Sequence, residues 1–187
     1  ININMIQNQK PMKIKRRNLI QLLLLAAIVP LLSSCGYNRM VGLEESVTSQ
    51  WAQVENAYQR RADLIPNLVN TVKGYADFEK ETLTGVIEAR AKATGVTIDP
   101  SNLDANSIQQ FQAAQDGLSS ALSRLMVVVE RYPELKANQN FLDLQKQLEG
   151  TENRIAVERR KFNDATRNYN TYIRRFPALI TANIFGF

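Results

Sequence analysis

The sequence predicts an all-α protein, an elongated antiparallel four-helix bundle of long helices that follows a lipoprotein signal peptide. Apolar residues recur every three or four positions through most of the chain, which is the spacing of a helix buried along one face. No stretch alternates apolar and polar residues as a strand would. The segment from Gly95 to Asn106, with glycine, proline and helix-capping residues, is the one clear linker. Short connections between four helical segments favour antiparallel neighbours.

The first predicted helix begins at Leu43 and carries a single apolar stripe. The members of this stripe are Val47, Trp51, Val54, Tyr58, Ala62, Ile65, Val69 and Val72. Pro66 lies inside the stripe and removes the backbone hydrogen bond to Ala62, so we expect a kink or a short break there. Gly74 is expected to end the helix, and Asp77 is expected to cap the next one.

Two further helices are predicted before the chain turns at Pro133. The second passes through Leu83, Val86, Ile87 and Arg90 and ends at Gly95. The third has the most regular pattern, a heptad seam with one polar member, Gln115. The other members of the seam are Ile108, Phe111, Leu118, Leu122, Leu125, Val129 and Tyr132.

The fourth predicted helix ends at Pro177 and is followed by an apolar tail. Its seam contains Phe141, Leu144, Leu148, Ile155, Phe162, Tyr169, either Tyr172 or Ile173, and Phe176. The first and fourth helices, at about 35–40 residues, would each be roughly 50–60 Å long, which predicts an elongated bundle. The tail "ALITANIFGF" is too short to span a bilayer. It either folds back over the end of the bundle or docks on a partner or on the lipid surface.

The amino-terminal segment has the order of a secretory signal. Basic residues precede the apolar run "LIQLLLLAAIVPLL", and two serines then lead to Cys35, the only cysteine in the chain. The sequence "LSSC" resembles the lipobox of bacterial lipoproteins, in which the cysteine is acylated and the preceding signal is removed. We therefore assign 1–34 to a signal peptide and 35–187 to the helical domain. Because the chain opens on isoleucine, translation from Met5 or Met12 is left open as an alternative.

Composition excludes several classes of function for the mature chain. Without the five basic residues of the signal region, 18 basic and 18 acidic residues remain, so the formal net charge is zero. A nucleic-acid-binding protein needs an excess of positive charge, and we therefore expect no nucleic-acid partner. The chain has no histidine, which argues against a di-iron or haem site and against the commonest general base. We expect no metal, no cofactor and no enzymatic activity.

The stretch "QRRADLIPNLV" is the main candidate site outside the anchor. Arg60, Arg61 and Asp63 lie in the turn before Pro66, where a guanidinium could satisfy the freed carbonyl of Ala62. The cluster is interpreted either as a structural kink held by local charges or as a docking site for a partner. In the structural interpretation, removing Asp63 should lower stability.

The mature chain as a whole resembles the LemA family. The resemblance covers Tyr37 to Arg90, including "RRADLIPNLV", and the stretch from Tyr132 to Pro177, together with the terminal "IFGF". It implies an elongated helical bundle held at a bacterial membrane, and it implies no reaction. This chain departs from the family in having a lipobox in place of an uncleaved membrane helix. It also has Phe78 where the family often has histidine.

Two functions are consistent with these features. The first is a lipid-anchored, non-catalytic scaffold or interaction module of the cell envelope, attached through acylated Cys35 and binding an envelope protein or copies of itself. The second is an enzyme or a lipid-handling factor that uses a groove near Arg60, Arg61 and Asp63. Gly36 stands where an inner-membrane retention signal would place aspartate, so in a Gram-negative cell we expect the outer membrane, with the bundle in the periplasm.

Overall fold

A computed structural model describes the backbone of residues 16–75, 79–100 and 103–187, and within these ranges the side chains from Gly36 onward. Its helices are α1 (Arg16–Lys73), α2 (Lys80–Gly95), α3 (Ala105–Val129), α4 (Pro133–Lys136), α5 (Gln139–Ile173) and α6 (Ala178–Phe185). Every regular element in these ranges is helical, which confirms the all-α class. The antiparallel four-helix arrangement and the signal peptide remain predictions.

Helix α1 is longer than the sequence pattern predicts and has no break at Pro66. It begins at Arg16 rather than at Leu43, because the leucine- and alanine-rich run before the stripe is itself a good helix former. It then passes through Pro66 and ends at Lys73, directly before Gly74, as expected. The predicted cap Asp77 lies outside the described residues.

The later helices confirm most of the predicted boundaries. Helix α3 begins after Asp104, whose carboxylate accepts hydrogen bonds from the backbone N–H groups of Asn106 and Ser107 at 2.8 and 3.0 Å. Pro133 does more than turn the chain, since it begins the short helix α4, where its missing N–H is not needed. Placing Phe176 in the seam is wrong: α5 has ended at Ile173, and this ring is 81% exposed.

The chain divides into two compact units, and each is described by itself. Unit 1 comprises residues 1–42 and 172–187, and unit 2 comprises residues 43–171. Of the helices in the described ranges, none is both long enough and apolar enough to cross a membrane.

Unit 2 contains two clusters of buried apolar residues. One contains Ile65, Leu68, Val72, Leu83, Val86, Leu118, Leu125, Leu135, Phe141 and Leu144 among others, which come from α1 to α5. The other surrounds Trp51, whose ring meets those of Phe111 and Phe162 edge to face at centroid distances of 5.3 and 5.2 Å. These rings belong to α1, α3 and α5, so the predicted stripes face one another here as the spacing indicates.

Unit 1 holds the apolar tail, which forms α6 after Pro177. Ala178 and Ala182 are its buried residues, and Tyr37 from α1 contacts the ring of Phe185 at a centroid distance of 5.0 Å. The helix ends at Gly186, which has a φ of 79° and donates its N–H to the carbonyl of Ala182. A residue with a Cβ would be strained in this left-handed conformation.

Candidate interaction site around Arg61

Arg61 is buried inside unit 2, where only 2% of its surface is exposed. Its Nη1 donates to the Oγ of Ser119 at 2.8 Å and to the Oε2 of Glu152 at 2.9 Å. Its Nη2 donates to the backbone carbonyl and the side-chain Oε1 of Gln115, at 3.1 and 2.8 Å. These residues form what we call the Arg61 network, and it joins α1 to α3 and α5.

Gln115 extends the Arg61 network to a fourth helix. It is the polar member predicted in the heptad seam of α3, and it is 5% exposed. Its Nε2 donates to the carbonyl of Ala93 in α2 at 3.1 Å. A buried polar group is costly unless its hydrogen bonds are satisfied, and here donor and acceptor ends are both paired. The side chain therefore fixes the relative positions of three helices.

The electrostatics of the Arg61 network are those of a half-solvated ion pair. Glu152 is 60% exposed, so only the arginine end of the pair has lost its water. The guanidinium also lies over the ring of Tyr58, 5.1 Å from its centroid. Burial raises the pKa of the Tyr58 phenol, and the neighbouring Arg159 and Arg61 oppose that rise. The phenol therefore stays neutral at physiological pH and is no base.

A different arginine satisfies the carbonyl that Pro66 frees. The Nε of Arg90, in α2, donates to the carbonyl of Ala62 at 2.8 Å. The prediction that a guanidinium would occupy this acceptor holds, but the donor comes from another helix rather than from Arg60 or Arg61. The contact replaces the missing backbone bond, and α1 continues through the proline without a break.

Arg60 and Asp63 lie on an exposed surface of α1, away from the Arg61 network. With Arg154 of α5 they line a groove of about 710 Å³, open to solvent, whose other lining residues include Ala57, Leu64 and Gly150. Asp63 accepts a hydrogen bond from the side chain of Gln59, one turn earlier, at 2.7 Å. The groove is a shallow surface between two helices.

The structure does not bring the four predicted kink residues together. Arg61 is buried and binds distant helices, whereas Arg60, Asp63 and Pro66 are exposed. The physical reason is that successive helical residues are about 100° apart, so neighbouring arginines face different environments. The side chain of Cys35 lies outside the described residues, and the anchor remains a prediction.

The chemistry available around Arg61 is that of structural hydrogen bonding. Among the described residues no group of three or more Asp, Glu, Cys or His side chains is placed to hold a metal ion. Both terminal nitrogens of Arg61 already donate twice each. Its Nε has no hydrogen-bond partner, but it is buried and therefore not exposed to a ligand in solvent. The arrangement can hold helices in register.

Comparisons with known proteins show the family to which the sequence is similar. The model of the LemA family matches residues 50–187. Magnetosome protein MamQ 2 of Paramagnetospirillum magneticum is 28% identical over 170 residues, which is 81% of this chain and 62% of that protein. Magnetosome protein MamQ of Magnetospirillum gryphiswaldense is 27% identical over 168 residues, with the same coverage. Protein LemA of Metamycoplasma hominis is 23% identical over 139 residues, covering 74% and 60% of the two chains.

The match is partial in length. The chain spans about three fifths of the curated relatives it matches. The Arg61 network lies wholly within the residues that the family model covers.

Proposed function

The chain belongs to the LemA family, and on that premise we propose that it is a membrane-anchored lipoprotein of the bacterial cell envelope. Its domain of residues 35–187 is an elongated antiparallel four-helix bundle that acts as a non-catalytic scaffold or interaction module. Residues 1–34 are the signal peptide, and Cys35 carries the acyl chains. Its partner is an envelope protein or a second copy of the chain.

The observation that carries the proposal is that Arg61 donates its hydrogen bonds to other helices. Among the described residues of unit 2 this is the most deeply buried charged side chain, and it donates to side chains of α3 and α5 and to a backbone carbonyl of α3. Buried polar groups of this kind can set register and partner choice among helices at some cost in stability. A bundle held in one register is what a scaffold requires.

The relatives' names support a role without catalysis. "Magnetosome protein" and "Protein LemA" describe no reaction. The absence of histidine from the whole sequence removes the commonest acid–base group. These points favour the scaffold over the alternative, an enzyme or lipid-handling factor.

The alternative nevertheless has one observation in its favour. The groove beside Arg60, Asp63 and Arg154 has a volume of about 710 Å³, which is within the usual range of ligand sites of about 300–1,000 Å³. Its openness argues against it, because small-molecule sites bury most of their ligand's surface. An open groove flanked by two helices suits a partner protein better.

The anchor is tested with Cys35→Ser and radioactive palmitate. We expect the wild-type chain to incorporate the label, and the variant to remain unlabelled and to accumulate as an unprocessed precursor or leave the membrane. In a Gram-negative cell, fractionation should place the wild type in the outer membrane. An unlabelled wild-type chain would overturn the lipoprotein assignment.

The interaction surface is tested by cross-linking in native membranes. We expect Arg60→Ala combined with Asp63→Ala to lose the cross-linked partner, or the cross-linked second copy, while its melting temperature is unchanged. A matched control is Asp116→Ala combined with Arg124→Ala, which removes the same two exposed charges from α3. Equal cross-linking in both variants would contradict the use of this groove.

A further inference from the structure

Helix α6 exposes its large apolar residues and buries its small ones. Ile184 is 71% exposed, Phe185 58% and Ile180 53%, whereas the buried residues are Ala178 and Ala182. A helix packed in water shows the reverse arrangement, with its large apolar side chains turned towards the core. The apolar surface of α6 is therefore directed to the outside of unit 1.

This surface lies next to the predicted lipid-attachment site. Tyr37 contacts the rings of Phe185 and Phe187 at centroid distances of 5.0 and 5.5 Å. Cys35 is two residues before Tyr37 in the same helix, a rise of about 3 Å along the axis. Acyl chains on Cys35 would hold the end of α6 within the interfacial layer of the bilayer, which is about 5–8 Å thick on each side.

The charges of unit 1 suit the same location. Its described residues include Arg39, Arg174 and Arg175, which are all exposed, and no Asp or Glu. A positive flank beside an apolar surface is the composition of helices that lie on anionic lipid, where arginines meet phosphate headgroups and the apolar side enters the acyl boundary.

We infer that α6 lies in the membrane surface as a second, non-covalent attachment, with Ile180, Ile184 and Phe185 in the lipid and the arginines at the headgroups. The inference rests on the proposed anchoring at Cys35, which brings the surface to the bilayer. An interfacial helix adds buried apolar area to the attachment that the acyl chains supply. The attachment also fixes the orientation of unit 1 on the membrane.

The test places a dye on α6 and on a matched site in unit 2. Cys35 is the only cysteine, so in the acylated full-length chain an introduced cysteine is the only thiol. Ile184→Cys and Val127→Cys are matched because both parent side chains are 71% exposed. Each variant is labelled with a polarity-sensitive dye and reconstituted into vesicles of phosphatidylethanolamine and phosphatidylglycerol.

We expect the dye at position 184 to be quenched several-fold more by lipids carrying a spin label on the acyl chain than the dye at 127, and to be protected from iodide in the water. Equal quenching at the two sites would overturn the inference. Protection from iodide without lipid quenching would also overturn it, and would indicate that a second copy of the chain covers α6.

The same labelling separates this inference from the anchor. A wild-type chain whose Cys35 reacts with the dye is not acylated, and the proposed anchoring then fails. The comparison of positions 184 and 127 can then be repeated with Cys35→Ser. Lipid quenching at 184 in that background would still support the membrane-surface helix, and its absence would exclude the helix.

Discussion

Units 1 and 2 differ in the exposure of their large apolar side chains. In unit 2 the aromatic residues Trp51 and Phe111 are buried, at 2% and 5% exposure. In unit 1 Phe176 is 81% and Ile184 71% exposed. Seven of the ten large apolar side chains that are exposed within the described ranges belong to unit 1, although it supplies only a small part of those ranges.

Transfer of apolar side chains out of water is favourable in both units. The two units differ in the apolar environment that receives these side chains. In unit 2 that environment is the protein interior, where the helices pack their apolar stripes against one another. In unit 1 we propose that the apolar environment is the surface of the lipid bilayer. A period of three or four residues predicts that one face is apolar, but it does not say whether that face turns to protein or to lipid.

The charges differ in the same sense. In unit 2 the carboxylate of Glu158, 3% exposed, is held between Arg154 and Lys161 at 3.3 and 3.2 Å. In unit 1 the arginines of the described residues have no acidic residue of their own unit beside them. The buried carboxylate of unit 2 is thus neutralised inside that unit, whereas the described side chains of unit 1 have a net positive charge available for anionic headgroups.

Truncating one aromatic residue in each unit gives the largest expected contrast. Trp51→Ala should lower the free energy of unfolding by about 3–5 kcal/mol, because it leaves a cavity between the rings of Phe111 and Phe162. Phe176→Ala should change it by less than about 0.5 kcal/mol, because this ring is exposed. Urea denaturation followed by circular dichroism measures both. A similar loss in the two variants would contradict the comparison.

The two charged residues Arg61 and Asp63 provide a second contrast, this time within unit 2. Arg61→Leu should lower the free energy of unfolding by about 1–3 kcal/mol, because the buried carbonyl oxygens of Gln115 lose their donor. Asp63→Ala should cost less than about 0.5 kcal/mol, since the carboxylate is exposed and only Gln59 donates to it. The same denaturation curves decide the order. A larger loss of stability for Asp63→Ala would support the interpretation that a local charge network holds the helix at Pro66.

The sequence contains part of the information about Arg61. It lies three residues after Tyr58 and four before Ile65, on the side of the buried stripe, whereas Arg60 does not. The direction of its side chain could therefore be predicted from spacing. Its partners could not, because Ser119 and Glu152 are 58 and 91 residues away and meet it only through the packing of α3 and α5.

The fold was predictable to the same extent. Spacing located many of the buried residues of unit 2, such as Trp51 and Leu118, and the polar exception at Gln115, because these depend on local periodicity. It was wrong at Ile87, which is 45% exposed. It missed the start of α1 and the exposure of Phe176, because helix propagation and termination depend on context outside the stripe. The tail was open to two interpretations, since a segment that is apolar all round has no preferred face.

A double-mutant cycle tests the replacement of a backbone bond by Arg90. Pro66→Ala restores the N–H that can reach the carbonyl of Ala62, which should stabilise unit 2 by about 1 kcal/mol, less than the full penalty of about 3 for a proline inside a helix. The reduction is expected because Arg90 already satisfies that carbonyl. Arg90→Gln should destabilise the wild type more than it destabilises the Pro66→Ala variant. Equal effects in both backgrounds would show that the two residues are not coupled.

The smallest expected effect is a pH dependence confined to unit 2. Hydrogen bonds from the side chain and the N–H of Ser107, and from the N–H of Asn106, hold the pKa of Asp104 below its usual value. Because the folded-state pKa is the lower one, this contribution to stability is present above the unfolded pKa and is lost as pH falls through the folded pKa. Asp104→Asn keeps the cap acceptor, so it should mainly flatten the fall in melting temperature below about pH 4.

The control for this measurement is Asp116→Asn, which removes an exposed carboxylate of α3 away from the cap. In this variant the melting temperature should fall at acid pH as it does in the wild type. The described residues of unit 1 contain no Asp or Glu, so Asp104→Asn should leave lipid quenching of the dye at Ile184 as it is in the parent chain at each pH. Quenching that changed with Asp104 would mean that the attachment of α6 depends on the folding of unit 2. In that case the exposure of the apolar side chains of α6 would depend on the packing of unit 2. The contrast between a buried apolar core in unit 2 and a lipid-facing helix in unit 1 would then not describe two independent properties.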